Sequence, residues 1–128
     1  MPHRDWLKLE GERFLMRQKW ADFFLDFDAL LCPAIPVTAF PHDHSPFLKR
    51  MLKVNGEDRS YFDTLLSWAG LIGVVYLPST VAPVGPAQDG LPVGIQIVGP
   101  YLEDRTPILL AGLMEEVVGG FTPPPAFL

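Results

Sequence analysis

Cys32, with His42 and His44 a short way downstream, is the first place to look for a nucleophile. A thiol beside an imidazole can be activated for attack on a carbonyl. The local sequence argues otherwise. Phe27-Asp28-Ala29-Leu30-Leu31-Cys32 reads as a short buried strand stopped by Pro33, which cannot donate to a sheet ladder. A free cysteine there is a core thiol. His42-Asp43-His44 offers half of a metal site, but no third ligand stands at a suitable spacing. Alternate residues on a loop point different ways, so these histidines read as solvated. The paired carboxylates Glu103-Asp104 and Glu115-Glu116 fall at helix ends or exposed faces, away from any partner for acid–base work. Gly94 to Gly99 has a GxxxxG spacing without the Lys-Ser/Thr of a phosphate loop. Gln96, alternating with apolar neighbours, reads as a structural clamp whose amide needs partners.

The elements that must carry these residues follow from periodicity. Trp6, Leu9, Arg13, Trp20, Phe23, Phe24 and Phe27 recur at helical spacings, so a helix with an aromatic face is expected over about Asp5–Phe24, within an N-terminal segment 1–27. Residues 33–59 are rich in proline and lack a clean period; they read as a long loop, with a helical turn near Phe47–Lys53 and a tight turn at Asn55-Gly56. Ser60 and Asp63 resemble a helix cap, and Tyr61, Leu65, Trp68, Leu71 and Ile72 share the face of a second helix ending near Gly70–Gly73. Thr80–Val84 and Val93–Val98 read as strands joined into an antiparallel hairpin through Gly85–Gly90. Thr106-Pro107 opens a third helix, which Gly119-Gly120 ends. The remaining 122–128 reads as a Pro-rich tail.

Composition narrows the classes. With 128 residues, 48% of them hydrophobic and 20% charged, the chain has the make-up of one globular domain. Its fourteen prolines, about twice the usual share, confine long helices to the proline-free stretches. A net charge of −5 provides no basic footprint for nucleic acid. The apolar run Leu65–Gln88 is broken by Gly and Pro, so a membrane partner is not expected. No leader is evident at the start, and a single cysteine excludes an internal disulfide. A cytoplasmic location is the expectation.

One stretch is more specific than all of this. Pro83-Val84-Gly85, a short turn, and then Gly90-Leu91-Pro92-Val93-Gly94-Ile95-Gln96-Ile97-Val98-Gly99 resembles the closing segment of amidase signature enzymes. Upstream, Phe27 to Pro36 is similar to that family's D-[AV]-[LI]-[LI]-x-P-[TA]-x-P strand, and the apolar helix up to Glu116 to its last helix. The resemblance runs from about Trp20 to Phe121. It implies an α/β fold: a small mixed β-sheet with an antiparallel hairpin, packed against about three helices. The β-helix-β crossover through 60–73 should be right-handed.

The resemblance also implies hydrolysis of an amide C–N bond in the complete enzyme, without metal or organic cofactor. Family members use a Ser–Ser–Lys set in a Gly/Ser-rich segment and an upstream lysine. Here Ser45, Ser60, Ser67 and Ser79 stand apart from glycine-rich sequence, and Lys8, Lys19, Lys49 and Lys53 have no partner serine in that pattern. No catalytic residue carries over. Pro83, Gly85, Gly90, Leu91, Pro92, Gly94, Gln96 and Gly99 carry over as a structural motif. Tyr61 and Trp68 fall on the helix that lies near the acyl pocket in the family, which makes them candidate pocket walls. Cut from its neighbours, such a segment exposes a strand edge and an apolar face, so a homodimer is expected, with helix 1 crossing. The alternatives are a self-assembling domain without chemistry, and a partner that completes an amidase core carried by a second chain.

Overall fold

A computed structural model describes residues 1–124. The first helix, α1 (His3–Phe23), is followed by a short strand, β1 (Leu30–Pro33). A 3-10 turn at Phe47–Lys49 leads into β2 (Met51–Val54) and β3 (Glu57–Ser60). Two short helices, α2 (Tyr61–Leu66) and α3 (Ala69–Gly73), precede β4 (Ser79–Pro86) and β5 (Pro92–Val98). The last helix is α4 (Arg105–Val118).

β5 is the central strand of a three-stranded sheet ordered β1-β5-β4. Both pairings are antiparallel. β1 and β4 therefore run parallel to each other, but with β5 between them rather than as a direct ladder. The expected mixed sheet is thus an antiparallel one, because the final hairpin inserts its second strand into the gap between β1 and β4. The register sets Leu30 and Ser79 opposite Val98, and Cys32 and Val81 opposite Gln96.

The core gathers at one end of this sheet. Cys32, Ile72, Val75, Leu77 and Val98 form a buried cluster, with Met16, Trp20, Phe24, Leu30 and Trp68 packed around it. Only the C-terminal half of α1 thus joins the core; Trp6, Leu7, Leu9, Phe14 and Leu15 stay exposed. Two cation–π contacts help to fix the helix. The Arg17 guanidinium sits 3.6 Å from the Tyr101 ring centroid, and that of Arg13 sits 4.7 Å from Tyr76, whose hydroxyl accepts from Arg13 Nη1. α4 packs mainly over β4. Its buried Pro107 abuts Gly99, where an added Cβ would lie 2.7 Å from Pro107 Cδ.

Two expectations need correction. Residues 33–59 are not one long loop: β2 and β3 form an antiparallel hairpin turning at Asn55-Gly56, with both turn residues at positive φ (52° and 85°). Its strand Glu57-Asp58-Arg59-Ser60 has no apolar alternation, so pattern alone hides it. The second helix is also two. Ser60 caps α2 by accepting from the Asp63 amide, but Ser67 Oγ turns back to donate to the Thr64 carbonyl where the helix breaks. The tail expected over 122–128 lies beyond the described residues from 125 on.

Candidate functional site

Away from the core, the β1-β5-β4 sheet opens into a groove of about 570 Å³. Leu31, Cys32 and Pro33 form one side, Val81, Gly94 and Ile95 the floor, and the 34–39 segment the other side. A second groove, of about 350 Å³, adjoins it and shares Val37, Thr38 and Ala39 as a common wall. Phe40, Asp43, Met51, Lys53 and Tyr61 are among the rest of its lining. The first volume is apolar and within the usual range for small-molecule pockets.

The eight motif residues all lie on or beside the β4–β5 hairpin, and the structure gives most of them a backbone reason. The ladder bulges between Pro83 and Gly85, and Gly85 (φ 107°) then faces Val93. Gly90 (φ 82°) turns the chain, with its amide donating to the Ala87 carbonyl at 2.9 Å. The Leu91 carbonyl accepts from the Ala87 amide at 2.8 Å, and the Leu91 amide donates to Asp89 Oδ1 at 3.1 Å. The other Asp89 oxygen accepts from Thr38 Oγ1 at 3.2 Å, which pins the turn to the wall shared by the grooves. Pro92 opens β5, and Pro83 lies opposite Gly94. A Cβ on Gly94 would meet Val81 Cγ1 at 2.8 Å, so the groove floor depends on this glycine. Gln96 is buried between Cys32 and Val81.

Tyr61 and Trp68 part company. Tyr61 lines the second groove, its ring set edge-on to Phe40 at 5.9 Å and Phe47 at 5.5 Å. Trp68 packs on the core cluster and lines neither groove. The break between α2 and α3 separates them. Phe40 and Asp43 were invisible as groove residues in the sequence, because nothing local says that 34–43 folds beside β2.

The groups that could do chemistry are committed elsewhere. Cys32 is buried, and burial pushes its thiol above the ordinary value, away from the thiolate a nucleophile needs. Asp43 accepts from the Ser45 amide at 2.8 Å, and this bond holds its exposed carboxyl below the usual range. His42 and His44 lie edge-to-face, 6.3 Å apart, and among the described residues no cluster of three or more His, Cys, Asp or Glu could hold a metal ion. Ser60 and Ser67 spend their hydroxyls on α2, while Lys53 pairs with Asp58 at 3.1 Å. The site is a wall and a floor without a nucleophile.

This geometry matches one family. The Amidase family model matches residues 2–108. The chain is 35% identical over 123 residues to the A subunit of glutamyl-tRNA(Gln) amidotransferase from Rhodospirillum rubrum, covering 96% of this chain and 22% of that protein. It is 31% identical over 117 residues to the protein of the same name from Exiguobacterium sp., covering 91% and 22%. Among solved structures, one described as a crystal structure of amidase superposes with a TM-score of 0.77 at 24% identity, over 93% of this chain and 26% of that one. Another, described as a vestigial protein complex revealing the origins of an s-triazine catabolic enzyme, gives 0.72 at 24% identity, over 94% and 25%. The chain belongs to the amidase family. It corresponds to the C-terminal part of amidase signature enzymes, separate from their catalytic segment, and spans only about a fifth to a quarter of these relatives' length. No helix among the described residues is long and apolar enough to cross a membrane.

Proposed function

We propose that this chain is the C-terminal, non-catalytic part of an enzyme that hydrolyses amide C–N bonds. It acts together with the amidase body that carries the Ser–Ser–Lys segment. The observation that carries this reading is the position of the GLPVGIQIVG stretch. It forms the central strand of the sheet and lines the first groove, where the one thiol, Cys32, is buried. A part built this way shapes a pocket for chemistry done elsewhere. Tyr61, at the second groove, is the better placed of the two candidate pocket walls; Trp68 acts by holding the core beneath. Left alone, the chain self-associates as a homodimer. A lone buried thiol suits a cytoplasmic location.

A serine-directed fluorophosphonate and a panel of aryl amides test the reading. The pure chain is expected to show no labelling and no turnover, because losing the nucleophile and its base removes many orders of magnitude of rate. Mixing it with an amidase body deleted for the corresponding segment is expected to restore labelling on that body. Stoichiometric labelling of Ser45, Ser60, Ser67 or Ser79 in the chain alone, with turnover, overturns it.

A further inference from the structure

Among the described residues, Gln96 is the one polar side chain buried in the three-stranded sheet, at 4% exposure. Its carboxamide carries two N–H donors and an acceptor oxygen. No hydrogen bond within the described chain engages that amide. The ladder places Gln96 directly opposite Cys32 on one side and Val81 on the other, so the three side chains share a face of the sheet. Cys32 and Val81 both line the first groove, and Gly94, two residues back on that face, has no side chain to stand between. Arg13 Nε is the only side-chain nitrogen or oxygen that is fully enclosed and unpaired among the described residues. The Gln96 amide is therefore unpaired without being sealed, and the groove is the space beside it.

We propose that the first groove binds a small neutral carboxamide with an apolar body, and that Gln96 selects it by pairing amide to amide. This rests on the reading of the chain as part of an amide hydrolase and adds the residue that recognises the ligand. A carboxamide offers its own N–H beside its own C=O, so two amides set head to head close two hydrogen bonds at once. An ammonium group offers donors only, and a carboxylate acceptors only. Each also brings a charge, and no charged side chain lines this groove to meet it.

The rest of the lining fits the apolar body. Leu31, Ile35, Val84 and Ile95 are hydrocarbon, and the Thr38 hydroxyl is already spent on Asp89. A volume of about 570 Å³ is that of a small-molecule pocket, in which one polar group inside apolar walls fixes the ligand's orientation. Burying an amide without a partner is costly, and a matching ligand removes that cost. The same cost works against an isostere that cannot complete the pair.

Proton–nitrogen correlation spectra of the labelled full chain, titrated with hexanamide, test the proposal. The side-chain amide pair of Gln96, identified by its loss in Gln96→Leu, should move together with the Gly94 backbone amide. Millimolar ligand is needed, because so few atoms bind weakly. Hexanoate and hexylamine should leave both signals in place. Methyl pentyl ketone has the same shape, with a methyl group for the amide nitrogen. The ratio of hexanamide to ketone affinity should fall about tenfold from wild type to Gln96→Leu. A Gln96 signal that stays still while Gly94 moves, or a ratio unchanged by the substitution, overturns the proposal. So does a response to N-acetyl-leucine methylamide with none to hexanamide, which would give the groove to a peptide segment. Failure of the hydrolytic reading shows elsewhere, as absent labelling of the reconstituted body while hexanamide still binds at Gln96.

Discussion

The two ends of β5 differ although their residues are alike. At the Val98 end, Ile97 and Val98 are fully buried beneath flanking helices. At the Pro92 end, the same strand floors an open groove, and Val81 opposite Gln96 is 56% exposed. Sequence cannot separate Ile95 from Ile97, since both are β-branched, apolar and on one face. Coverage separates them. The sealed end holds the packed core; the open end leaves a groove accessible.

The sharpest way to break this contrast is a matched pair. Ile97→Ala should cost about 3 kcal/mol, within the range for truncating a buried aliphatic side chain. Ile95→Ala, at the half-covered end, should cost about 1 kcal/mol. Denaturant unfolding of the two variants decides it, and equal losses would mean that the ends are equally packed. Glycines give the next contrast. Gly94→Val drives a side chain into Val81 and should cost about 2 kcal/mol, a drop in Tm near 10 °C. Gly112 has nothing within 4 Å of its added Cβ, so Gly112→Ala should stabilise α4 by up to about 1 kcal/mol.

Cys32 offers a smaller, pH-dependent test. Burial raises its thiol pKa in the fold above the ordinary 9.0. The unfolded chain then ionises first. The thiol's contribution to stability is intact below pH 9 and is lost as the pH rises from there through the folded value. Melts between pH 8 and 10 should slope downward, and Cys32→Ala should flatten the slope. The smallest effect is expected at Phe14, 56% exposed on the free half of α1: Phe14→Ser should change stability by no more than about 0.5 kcal/mol.

What could be read from the chain beforehand follows the same division. Elements with strong local signals were legible: the α2 cap at Ser60, the α4 stop at Gly119 and the β4–β5 turn all rest on residues whose backbone or hydroxyl chemistry is local. The β2–β3 hairpin was not, because only Leu52 of it is buried and its second strand, Glu57–Ser60, has no apolar side chain to mark it. Nor could the aromatic spacing of α1 tell which turns would dock. Met16, Trp20 and Phe24 find the core while Trp6 and Phe14 do not, and that choice is made by where the sheet ends. The grooves depend on 34–39 lying across from Val81 and Gly94, a juxtaposition of distant segments that no spacing encodes.

The place of β5 in the sheet also sets a schedule. Among the described residues β1 pairs with β5 alone, with Leu30 facing Val98. During synthesis at roughly 5–20 residues per second, the first strand therefore waits on the order of 3–14 s for its neighbour to be made. Throughout that interval Trp20, Phe24 and Leu30 lack the partners they pack on here, because Ile72, Val75 and Val98 all follow them in the chain. The three-stranded sheet therefore closes only once β5 has been made, which leaves both of its ladders to the end of this segment's synthesis.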